Sequence, residues 1–125
     1  MSKLTKEIKS CMTDLRQVEG DQLSAEFCFP KEFIGFNGHF PGKPILPGVC
    51  KIQAIMLMLE VFKNKNARLK EITMVKFFFP VSSNQKININ LEESMESEIE
   101  SSIKATVYSE EKIIAKLYLK VAFLE

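Results

Sequence analysis

Histidine occurs once in this sequence, at His39, and cysteine three times, at Cys11, Cys28 and Cys50. The cysteines form no CxxC pair and are odd in number. Neither a zinc site nor a disulfide framework can be read from their spacing. Charge of either sign is scarcely in excess: 17 Lys and Arg stand against 16 Asp and Glu, a formal net charge of +1. No global field therefore draws the chain to nucleic acid or to a membrane surface. A long apolar run is missing too. The longest, "IMLMLEVF", is too short to cross a bilayer and contains Glu60. The N-terminus has no secretory pattern, so a reducing, cytoplasmic setting is expected. No repeat, low-complexity tract or linker breaks the 125 residues, and one domain over 1–125 is expected.

What is present is an ordinary folding composition, 46% apolar and 26% charged. "CMTDLRQVEGDQLSAEFCFP" reads as two strands around a turn at Gly20-Asp21, with Leu23, Ala25, Phe27 and Phe29 alternating with polar neighbours. From Gly48 to about Lys63 the period becomes helical. Val49, Ile52, Met56, Leu59 and Phe62 follow three- and four-residue steps, and Cys50, Ala54, Leu57 and Val61 fill much of the other side. A helix apolar nearly all round is a buried one. Lys51, Gln53, Glu60 and Lys63 are its polar exceptions. Strands follow in "EITMVKFFFP", "KININLEE", "EIESSIKATVYS" and "KIIAKLYLKVAFL". Ile87, Ile89 and Leu91, then Ile99, Ser101, Ile103, Ala105 and Val107, then Ile113 to Phe123 at every second residue, define one dry face. The expected class is α+β, an antiparallel sheet wrapped round one long central helix.

The stretch "GHFPGKPILPGVCKIQA" differs from everything around it. Pro41, Pro44 and Pro47 fix their own φ and restrict Phe40, Lys43 and Leu46 before them. Such a loop holds His39 in one place. The helix that follows has Ile45, Leu46 and Pro47 before it, and none of these is a capping residue. The N–H groups of Gly48, Val49 and Cys50 are then expected to be free for an anionic or polarised oxygen. An imidazole beside an uncapped helix start suits general-base chemistry next to an oxyanion site. On spacing alone, a loop histidine that merely hydrogen-bonds a carbonyl fits as well.

"GHFPGKPILPGV" resembles the active-site segment of the β-hydroxyacyl-acyl carrier protein dehydratases, hotdog-fold enzymes that usually read GHFPGxPxxPGVLxxEA, with Glu or Asp near the end. "VKFFFPV" resembles their strand after the helix, and the element order is similar over most of the chain. The resemblance implies a hotdog fold and a lyase of fatty-acid biosynthesis. That enzyme eliminates water from a 3-hydroxyacyl thioester to give a trans-2-enoyl product. It implies no cofactor beyond the phosphopantetheine of the acyl carrier protein, and no metal. It implies a homodimer or higher homo-oligomer, or a mixed dimer with a catalytic homologue. His39 matches the catalytic histidine and Gly48 the glycine whose N–H polarises the thioester carbonyl. Phe36, Phe40, Pro47 and Val49 around the motif are the candidate substrate contacts.

The sequence departs from the family at Gln53, where the acid donated by the partner subunit is expected. An amide can hydrogen-bond a hydroxyl but cannot donate a proton as an acid. Such help is worth about 10²- to 10⁴-fold, so dehydration should be weakened. A non-catalytic acyl-carrier-protein-binding accessory subunit and an acyl thioesterase are the alternatives. Glu32, Asp14 and Glu60 are the carboxylates that could stand in as acid. Ser82, Ser83 and Asn84 replace the family's Pro-Gly-Asp, and the segment before the first strand is short for the family, which often has a helix there. Cys50 in the first helical turn reads as a small buried hydrophobe more readily than as a thiolate. Lys63, Lys65, Arg68 and Lys70 form a basic cluster that could meet an acidic carrier. Lys43 and Lys51 could contact a phosphopantetheine phosphate.

Overall fold

A computed structural model of the chain describes residues 2–37 and 44–124. A short helix α1 (Lys3–Ser10) opens the chain, with Ser2 as N-cap accepting from the Thr5 N–H at 3.1 Å. The sequence reading has no helix here. KLTKEIKS offers only Leu4 and Ile8 as apolar residues, yet Ile8 is fully buried in the core.

The hairpin of β1 (Met12–Val18) and β2 (Gln22–Cys28) runs from Met12 opposite Phe27 to Val18 opposite Gln22. Gly20, at φ 77°, supplies its turn. The central helix α2 (Gly48–Lys63) follows, then β3 (Asn66–Phe77), β4 (Lys86–Met95), β5 (Glu100–Ser109) and β6 (Lys112–Leu124). The six strands form one antiparallel sheet in the order β1-β2-β4-β5-β6-β3. Ala54, Ile55, Leu57, Met58 and Leu59 of α2 join the inward residues of the strands in one core. This is the expected α+β architecture. Burying several large side chains at about 1.5–3 kcal/mol each is what holds helix to sheet.

Three details differ from the sequence reading. β3 begins at Asn66, five residues before the expected start, because Ala67 and Leu69 turn inward within a lysine-rich edge strand. Ile113 is exposed and Ile114 is buried. The register steps from Val107–Ala115 to Tyr108–Ile113, so Ile114 is the extra residue of a bulge that reverses the alternation. Ile99 precedes β5 and is exposed.

Phe27, Phe29, Phe33 and Phe36 stack in sequence, with ring centroids 5.9, 4.8 and 5.6 Å apart. They carry the chain from β2 towards α2 along the core. Gly35 sits between Phe33 and Cys50. A β-carbon there would fall 3.0 Å from the Cys50 sulfur and closer still to the Phe33 ring.

Candidate active site at the start of the central helix

The segment entering α2 is pinned to the segment leaving β3. The Leu46 N–H donates to the Val81 carbonyl at 2.8 Å, and Ile45 bridges to Ser82. Beyond them, Ser82 to Gln85 close a turn with Asn84 at φ 60°. The Asn84 N–H donates to Phe29 O at 2.7 Å. The Ser-Ser-Asn departure noted in the sequence is thus a left-handed turn at a position that Asn tolerates.

Pro47 occupies the N-cap of α2 and no side chain caps the helix, as expected from the sequence. One expectation needs correction. The Cys50 N–H is not free: it donates to the Pro47 carbonyl at 3.1 Å, a tightened first turn. Among the described residues, the Gly48 and Val49 amides have no acceptor. Two donors at the positive end of a 16-residue helix are thus without a partner among the described residues, a setting that suits a guest oxygen.

Gly48 lies beneath the ring of Phe77, where a β-carbon would fall 2.8 Å from Cζ. Together Ile45, Leu46, Gly48, Lys51 and Phe77 to Pro80 line a groove of about 270 Å³. Val49 is 55% exposed and does not line this groove, and Pro47 is half-buried. Phe36 is buried and edge-on to Phe33, a core position. His39 and Phe40, with Lys43, lie outside the described residues.

Gln53 is half-buried, and its Oε1 is enclosed without a hydrogen-bond partner among the described residues. A buried acceptor left unpaired costs about 1–3 kcal/mol, so this atom calls for a donor. None of the three candidate carboxylates is poised to serve Gln53's position. Glu60 accepts from the Ala67 N–H at 2.8 Å, two helical turns along α2. Asp14 is paired with Arg16 on the exposed β1, and Glu32 is exposed in a turn.

Cys50 is buried, and burial pushes its thiol pKa up, in keeping with the packing reading. Lys51 is the residue whose setting the sequence reading missed. It is only 4% exposed, so it is no surface contact for a phosphate. Its Nζ donates to the Leu46 carbonyl at 3.4 Å and stands 4.9 Å from the Phe77 ring centroid. Burial holds its ammonium below the usual lysine range. Two of the four residues of the basic cluster after α2 are paired: Lys63 bridges Glu93 at 2.9 Å and lies over Phe123, and Lys70 pairs with Glu100.

Comparison with known proteins agrees with the motif. The model of the ApeI-like family, described as ApeI dehydratase, matches residues 15–116. The 3-hydroxyacyl-[acyl-carrier-protein] dehydratase FabZ of Helicobacter acinonychis is 30% identical over 103 residues, covering 72% of this chain. The match spans 65% of that relative's length. Among solved structures, the dehydratase heterocomplex ApeI:P from Xenorhabdus doucetiae superposes with a TM-score of 0.72 at 20% identity, over 89% of this chain and 96% of that one. A putative thioesterase from Lactococcus lactis gives 0.73 at 13% identity, over 99% and 98%. These structural likenesses establish the hotdog fold. With four fifths of its length inside the family match, the chain belongs to the ApeI-like dehydratase family.

Proposed function

We propose that the chain binds acyl thioesters at the start of α2 and eliminates water from 3-hydroxyacyl chains carried on an acyl carrier protein. The observation that carries this reading is the uncapped helix start, with the Gly48 and Val49 amides unpaired among the described residues, inside the family's motif. Removing a proton beside a thioester carbonyl places negative charge on its oxygen, and amide donors at a helix N-terminus stabilise that charge. His39, nine residues before Gly48 on the proline-restricted loop, is the base. Gln53 orients the 3-hydroxyl without giving it a proton. The proton taken by His39 returns to the departing hydroxyl. One C–H and one C–O bond break, the C=C bond forms, and water leaves.

The site requires a second subunit, supplied by a homodimer or a mixed dimer. β3 is an edge strand of 12 residues, and Ile72, Phe77, Phe78 and Phe79 on and just beyond it are exposed. A long apolar edge is a pairing surface. Val49, Val61 and Phe62 extend the exposed apolar area along α2.

Gln53 favours a second reading, an accessory subunit that binds thioester and leaves the acid to a catalytic homologue in a mixed dimer. The resemblance to a protein solved as a dehydratase heterocomplex points the same way. One assay separates the readings. The purified chain receives 3-hydroxyacyl and saturated acyl thioesters, and enoyl product and free thiol are followed separately. Enoyl formation that His39→Ala abolishes supports dehydration. Binding without product supports the accessory subunit. Free thiol without enoyl indicates a thioesterase and ends both.

A further inference from the structure

Lys51 is a buried cation in an unfavourable place. Side chains on a helix lean towards its N-terminus. From the first turn of α2, Lys51 reaches back to the Leu46 carbonyl, just outside the helix start. Its charge thus lies at the positive end of the helix dipole, where anions are favoured and cations are not. Among the described residues no carboxylate lies within salt-bridge distance of Nζ, and residues 38–43 contain none in their sequence. Its one hydrogen bond among the described residues, at 3.4 Å, is long and engages one of three N–H donors. The Phe77 ring supplies the other favourable contact. Leaving an ammonium desolvated and without a counter-charge is costly. An apolar residue of similar length would fill the same space.

The groove containing Lys51 also contains Gly48. Its other walls are Ile45, Leu46, Phe77 to Phe79 and Pro80, all apolar side chains. An apolar groove that contains one cation and Gly48, whose amide has no acceptor among the described residues, has the chemistry to hold an apolar chain ending in a negatively charged oxygen.

We propose that Lys51 is a second electrophile of the oxyanion site, adding its ammonium to the Gly48 amide to stabilise the enolate oxygen of the bound thioester. This rests on the thioester reading above and assigns a role that the motif does not. Gln53 still gives the departing hydroxyl no proton, which comes back from His39; Lys51 acts on the other half of the reaction, at the carbonyl oxygen. An enolate held by an ammonium as well as an amide forms more readily.

The test compares the wild-type protein with Lys51→Met, which keeps the stem and removes the charge. Turnover of a 3-hydroxyoctanoyl pantetheine thioester should fall by about 10²- to 10³-fold, the range for loss of one oxyanion donor. Affinity for octanoyl pantetheine should stay within about threefold, because a ground-state carbonyl carries little charge. Turnover unchanged in Lys51→Met overturns the proposal and leaves the dehydratase reading standing. If the wild type turns nothing over, binding of octanoate is compared with octanamide. A preference for octanoate that Lys51→Met loses upholds the electrophile although dehydration fails. No preference, or one retained by Lys51→Met, overturns it. A folding defect in the variant is bypassed by following the Lys51 Cε resonance in the wild type. Octanoate should raise the pH at which it titrates and octanamide should not. An indifferent resonance means an amine that only caps Leu46.

Discussion

The ring of Phe77 lies so close over Gly48 that a β-carbon on the glycine would come within 2.8 Å of Cζ. The end of β3 thereby roofs the first turn of α2. The ring is half exposed and can give way. Gly48→Ala should therefore fold, with a melting temperature within a few degrees of wild type. It should bind an acyl thioester more weakly, as Phe77 is pushed into the groove that the thioester would occupy. Calorimetric titration checks the affinity and scanning fluorimetry the fold.

Gln53→Glu restores the ionisable group that the family motif carries. Dehydration should rise by about 10²-fold or more, in line with the general value of a positioned acid. Steady-state enoyl formation measures it. A gain absent despite intact folding would locate the limitation elsewhere than the amide.

Glu60 holds the Ala67 N–H, joining the helix to β3. Glu60→Gln should lower stability by about 1 kcal/mol and leave turnover and its pH profile unchanged. A shifted acidic limb would show instead that Glu60 takes part in proton transfer.

The Lys51 pKa is lowered chiefly by burial. For a lysine whose folded pKa is depressed, the unfolded chain binds the extra proton. Stability then rises with pH between the folded pKa and the ordinary 10.5. Below that window the buried charge weighs against folding in full. Unliganded Lys51→Met should be more stable than wild type at neutral pH, with the difference shrinking as pH rises through the window. Denaturant melts of both proteins across pH measure this.

Ile72 stands exposed in the middle of the edge strand. Ile72→Lys puts a charge on that edge and, if the proposed dimer pairs there, should shift the protein to monomer with its fold retained. Sedimentation velocity reads the change, and thioester turnover should fall with it.

Much of this was legible in the sequence because local patterns agreed with the final packing. The hairpin around Gly20, the limits of α2 and the alternation of Ile87, Ile89 and Leu91 follow directly from periodicity. The uncapped start at Pro47 needed only the identity of three residues. Helix α1 was hidden because two apolar residues in eight make a weak signal, and its stability comes from Ile8 docking in the core. The reversal at Ile113 and Ile114 depends on a bulge set by the partner strand, which no single-strand pattern encodes. Lys51 read as a polar interruption of the helix. Its burial arises from Leu46 and Phe77, contributed by segments before and after α2.

The central claim concerns where the thioester binds, and backbone amide resonances report it directly. Titrating isotope-labelled protein with octanoyl pantetheine should move the Gly48 and Val49 N–H signals most, downfield as they gain a hydrogen bond, with Phe77 to Phe79 following. Saturable binding that leaves Gly48 and Val49 unmoved, or that shifts a surface remote from the start of α2, would contradict the account.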